Sequence, residues 1–113
     1  MPNEQRRVLR KPVQLSAFFS HRTGTWVAKG GDAMTLNLSE RGALIRSQHA
    51  FASGDELGLA LNLSGGKSVH VEGRVAHVEP LEGGVFDVGV HFRNLTPDDQ
   101  YLIELQLAKT PSA

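Results

Sequence analysis

A chain of 113 residues with a formal net charge of zero and no cysteine is long enough to bury one core and too short for two domains. It can hold neither disulfides nor thiolate metal sites, and without a basic surplus it does not fit a general nucleic-acid binder. Met1 to Gln5 is polar and carries no signal-peptide core, and no apolar run approaches the length that spans a bilayer, so a cytoplasmic protein without membrane insertion is expected.

The charges are unevenly spread. Arg6, Arg7, Arg10 and Lys11 crowd the start, while Glu79, Glu82, Asp87, Asp98, Asp99 and Glu104 fall in the last third. A basic segment on a neutral body suits a small anionic partner better than a long polyanion. Residues 1–12 read as a flexible arm, residues 13–109 as the folded domain and residues 110–113 as a tail.

From Val13 the alternation of Val13, Leu15, Ala17 and Phe19 with polar residues predicts a strand, Phe18 being the exception. His21 to Gly31 reads as a hairpin or long loop, with room for a short strand around Trp26. Met34, Leu36 and Leu38 share one parity and Thr35, Asn37 and Ser39 the other, so the first set is expected in a core and Asn37 and Ser39 on the surface, with Gly42 at the turn. Ala43 to Ser47 continues as a strand. After a Gly54-Asp55 turn signal, Leu57, Leu59, Leu61 and Leu63 face one way as a core strand. Ser64 to Lys67 turns the chain into a strand from Ser68 to Val78, in which Gly73 suggests a bulge and the facing of His77 stays open. Val85 to Phe92 follows, with Phe86, Val88, Val90 and Phe92 inward. Six such strands with short turns predict an all-β fold, a closed antiparallel barrel. Thr96, Pro97, Asp98 and Asp99 then order a cap, an N1 proline and first-turn acids as a helix start requires, and Leu102, Ile103, Leu105 and Leu107 supply apolar positions for a helix packed on the barrel.

Two segments carry candidate chemistry. The arginines fit a solvated basic terminus or an arm that closes on an anion, since guanidinium groups pair with phosphate and with the O6 and N7 edge of guanine. Asn37 to Gly42 fits an ordinary turn or a polar platform. Enzyme readings find little support: His21, His49, His70, His77 and His91 show no metal-ligand spacing and are not expected to cluster, Ser39 lacks a nucleophile elbow, and no phosphate-loop or dinucleotide fingerprint is present. No cofactor or metal is expected. Trp26, Tyr101 and five phenylalanines do not make the exposed aromatic face of a single-stranded nucleic-acid platform, the remotest alternative.

Arg6-Arg7-Val8-Leu9-Arg10 and Asn37-Leu38-Ser39-Glu40-Arg41-Gly42, in this order and with one strand between them, resemble the RxxxR and [D/N]xSxxG motifs of PilZ domains. The Glu72 to Val75 and Val88 to Phe92 strands are similar as well. The resemblance covers about Arg6 to Leu107 and implies a six-stranded antiparallel barrel with a C-terminal helix, acting as a non-enzymatic receptor for the bacterial second messenger cyclic di-GMP and signalling to a partner protein. It implies that Arg6 and Arg10 bind phosphates and guanine edges, that Asn37, Ser39 and Gly42 hold a guanine, and that Arg7 and Arg41 add contacts; His77 reads as a plain exposed strand histidine or, if it faces the ligand, as a small stacking platform. Asn37 stands where aspartate is commoner, and His77 where many members place tryptophan, so the acceptor is uncharged and the stacking surface smaller. Ordering about six residues of the arm costs about 6 to 12 kcal/mol, and a charge-assisted hydrogen bond returns about 1.5 to 3 kcal/mol; three arginines suffice where one does not. The alternative within the resemblance is an adaptor of the same fold that binds no nucleotide.

Overall fold

The computed structural model describes residues 11–24 and 26–110. Seven strands run β1 (Lys11–Pro12), β2 (Ser16–Thr23), β3 (Trp26–Leu38), β4 (Gly42–Ser47), β5 (Glu56–Asn62), β6 (Ser68–Leu81) and β7 (Val85–Arg93), followed by one helix, α1 (Pro97–Lys109). The sheet order is β1-β3-β2-β5-β6-β7-β4, and β3 also pairs with β4. That last pairing closes six strands into an antiparallel barrel, as predicted, and closure removes the free edges that an open sheet would expose. β1 is an extra piece beside the end of β3.

The core follows from the clean alternations. Leu57, Leu59 and Leu61 of β5, Val69, Val71 and Val75 of β6, and Val88, Val90 and Phe92 of β7 are all buried, together with Phe19, Leu38 and Ile45. Ser64-Gly65-Gly66 makes the β5–β6 turn, with both glycines at positive φ. The helix begins as its sequence requires: Thr96 Oγ1 accepts from the Asp99 amide at 3.1 Å, Pro97 is at N1, and two acids occupy the first turn. Ile103 is fully buried against the barrel, and α1 packs on β6. No helix among the described residues is long and apolar enough to cross a membrane.

Of the two readings of His21 to Gly31 the hairpin holds, with β2 and β3 paired and a register shift between His21 and Arg22. Four local expectations give way. Lys11 and Pro12, expected in the arm, pair with Leu38 and Asn37. On β3, Met34 is 44% exposed and Thr35 is buried, the reverse of the strict parity. Thr35 pairs with Ile45 and Asn37 with Leu44, so Leu36 is one residue too many against β4, a bulge that shifts the alternation. The hydroxyl of Thr35 accounts for the preference: it accepts from the Leu15 amide at 2.8 Å and donates to the Val13 carbonyl, spanning the gap between β1 and β2. On β6 the irregularity falls between Val75 and His77 rather than at Gly73. Gly73 stays in register, and a Cβ there would lie 2.5 Å from Val90 Cγ1. In α1, Leu105 is exposed while Gln106 is buried, because Gln106 accepts from the Ser64 amide at 2.8 Å and donates to Thr110.

Candidate functional site

The β3–β4 connection is built by Ser39. Its hydroxyl accepts from the amides of Arg41 (3.1 Å) and Gly42 (3.2 Å), and its own amide donates to the Gly42 carbonyl at 2.9 Å. The side chain is only 2% exposed, so the expected outward placement of Ser39 is overturned: the residue shapes the turn from inside. Gly42 is required by close approach. It pairs with His91, and a Cβ on it would lie 2.3 Å from the Val90 carbonyl oxygen. The Arg41 carbonyl accepts from the Phe92 amide at 2.7 Å, so the turn is fastened to β7. Arg41 itself is exposed at the rim, with no ion-pair partner among the described residues.

Below this turn lies a groove of about 540 Å³ lined by Ser39, Arg41, Gly42, Ala43, Leu44, Ala76, His77, Gly89, Val90 and His91. Among the described residues that line it, the ionisable ones are Arg41, His77 and His91, and none is a carboxylate. The irregularity after Val75 turns Ala76 and His77 outward together, which answers the facing that Gly73 left open. His77 pairs with Gly89, and a Cβ on Gly89 would sit 2.1 Å from His77 Cε1, so the imidazole lies over the bare backbone of β7. Two residues further along β4 and β7, Arg46 holds Asp87 through two hydrogen bonds of 2.7 and 3.0 Å. The Asp87 hydrogen bond raises the Arg46 pKa above its ordinary value, burial opposing.

Of the residues named from sequence, Ser39, Arg41, Gly42 and His77 meet at this groove. Asn37, opposite Leu44 on the outer face of β3, is half-buried beside the groove and does not line it. Arg6, Arg7 and Arg10 lie outside the described residues. Sequence reading missed His91, which only the pairing of β7 with Gly42 brings to the site. It also missed a second cluster, for His21 and His49 meet at 2.8 Å despite the expectation that the histidines stay apart. A wider depression of about 860 Å³ lies between β3 and residues 46–50, lined by Lys29, Asp32, Arg46 and His49 among others, and its charges are mixed. No group of three or more potential metal ligands occurs among the described residues.

The fold is that of several solved proteins. The Bacillus subtilis inhibitor of motility (MotI/DgrA) superposes with a TM-score of 0.71 at 18% identity, over 93% of this chain and 52% of that one. The PilZ domain of Escherichia coli YcgR, solved with c-di-GMP, gives 0.70 at 12% identity, over 92% and 90%. The K. pneumonia MrkH–c-di-GMP complex gives 0.71 at 15%, over 90% and 49%. This chain thus spans about half the length of the first and third of these proteins. No curated protein sequence matches it significantly. The sequence model of the PilZ domain matches residues 4–108, from the arginine segment through the barrel to the last turn of the helix, and the chain therefore belongs to the PilZ domain family.

Proposed function

We propose that the protein is a receptor for cyclic di-GMP, binding it in the groove between the Ser39–Gly42 turn, β7 and β6, and passing the event to a partner protein. The observation that carries this reading is the convergence of Arg41, His77 and the turn that the second motif builds on one groove, with no carboxylate among its described lining residues. Two of the solved proteins that share this fold carry c-di-GMP. An imidazole lying flat over Gly89 offers a face for a purine, and the exposed guanidinium of Arg41 offers donors for a phosphate.

Reach is compatible with a contribution from the arginine segment. From β1 to β7 the sheet crosses β3 and β4, three spacings or about 14 Å. Arg6 precedes Lys11 by five residues, and extended chain covers up to about 17 Å over that interval. Arg10 and Arg6 would then approach the ligand from near and far sides, with Asn37 between the arm and the groove as a neutral acceptor. Calorimetric titration with cyclic di-GMP, with GMP and with a short oligonucleotide tests the reading. Saturable binding of cyclic di-GMP alone is expected. Absence of binding leaves the adaptor reading, and a preference for the oligonucleotide moves the site to a different ligand class.

A further inference from the structure

Neither motif includes the two histidines of the groove, and their placement has a consequence for what the site responds to. His77 is opposite Gly89 and His91 is opposite Arg74, with Gly42 on its other side. The two imidazoles are therefore diagonal neighbours across β6 and β7 on the outer face, a relationship that keeps such side chains within about 8 Å. The charged groups around them are Arg74 and Glu79 on β6, Arg93 and Asp87 on β7, and Arg41 and Glu40 of the turn. Asp87 is occupied by Arg46, and Arg74 and Arg93 both reach Glu56, at 3.7 and 3.4 Å. Inside the groove, the imidazoles and Arg41 are the groups among the described residues left to meet a negative ligand.

Resting on the reading of the groove as the cyclic di-GMP site, we infer that ligand binding takes up protons at His77 and His91, so that one site reads both the dinucleotide and pH. A histidine is the side chain that changes charge between about pH 5 and 8. Two phosphodiester charges brought beside it favour the imidazolium form, and by linkage the imidazolium favours the bound ligand to the same extent. The phosphodiesters themselves carry no proton to release in this range. Affinity therefore rises as pH falls, a direction opposite to that of a site whose acceptors are carboxylates.

The test is calorimetry with cyclic di-GMP on the full chain at pH 6.0, 7.0 and 8.0, in two buffers of different ionisation enthalpy, with circular dichroism at each pH to verify the fold. The expected result is a Kd about tenfold lower at pH 6.0 than at pH 8.0, with net proton uptake on binding. In the double variant His77→Gln/His91→Gln the ratio of the two Kd values falls to about one. Binding with the same Kd at all three pH values and no proton uptake overturns the inference and leaves the receptor reading intact. No binding at any pH removes the receptor reading and this inference together. A pH slope that survives in the double variant places the proton elsewhere and overturns the assignment to these histidines.

Discussion

His49 Nε2 and His21 Nδ1 face each other at 2.8 Å, and the second nitrogen of His21 is 3.2 Å from the Asp55 carboxylate. The two imidazoles share one hydrogen bond, and Asp55 lies beside the second nitrogen of His21 while accepting from the Ala52 amide at 2.8 Å, so this relay of contacts fastens the irregular segment 48–55 to β2. Phe19 stacks on His49 and Phe51 meets it edge-on, with ring centroids at 5.2 and 4.6 Å.

This relay makes stability sensitive to acid. Burial, then the nearby His21 and Lys29, hold the His49 pKa below its ordinary value, Asp55 opposing. The unfolded imidazole takes its proton near about pH 6.5, before the folded one does, so the contribution is full above that pH and is lost as pH falls toward the folded value. Urea midpoints are expected to drop between pH 7.5 and 5, and to drop less in His49→Gln. An equal decline in both proteins would assign the acid sensitivity to other groups.

Two glycines of the groove are expected to respond differently. Gly42→Ala drives its Cβ into a backbone carbonyl, so the β3–β4 turn must shift from β7 at a cost of about 1 to 3 kcal/mol. Gly89→Ala meets only the imidazole of His77, a side chain that can swing away. Its melting temperature should stay near wild type while cyclic di-GMP affinity falls. Equal melts for the two variants contradict the distinction.

Thr35→Val removes the hydroxyl that joins the Leu15 amide to the Val13 carbonyl. The isosteric side chain keeps the packing and leaves two backbone groups without their partner, for a loss of about 1 to 3 kcal/mol. Faster amide exchange is expected at residues 13–15, with that of β5 unchanged. Uniform acceleration would show that the bulge, and not this local join, had failed.

Arg6→Ala and Arg10→Ala should each abolish calorimetric binding of cyclic di-GMP and leave the thermal melt unchanged, since a single guanidinium contributes about 1.5 to 3 kcal/mol per charge-assisted hydrogen bond to the ligand. Wild-type affinity in either variant excludes that arginine from the site.

Elements whose evidence is local were readable from sequence. The leucines of β5 alternate without interruption, and Thr96 to Asp99 states a helix start in consecutive residues. What depended on a distant partner was not. Thr35 outranks Met34 for the interior only because Leu15 and Val13 are adjacent in space, and Gln106 outranks Leu105 because the Ser64 amide lies opposite. Strict parity assigns both pairs the other way. The turn at Ser39 was found as a motif, yet its serine works from within, since a hydroxyl bonded to two amides has no reason to face water. The place of His91 follows from strand register, which a period of two does not specify, and the His21–His49 contact from the path of the irregular segment 48–55.

Lys11, the first described residue of the chain, extends its ammonium to the carbonyl oxygens of Leu107 and Thr110, at 2.9 and 3.1 Å. A cation at that place completes the negative end of α1, and it does so from the residue bonded directly to Arg10. The strand end at Lys11 and the last turn of the helix are thereby joined by two hydrogen bonds between residues 96 and 99 positions apart in the chain.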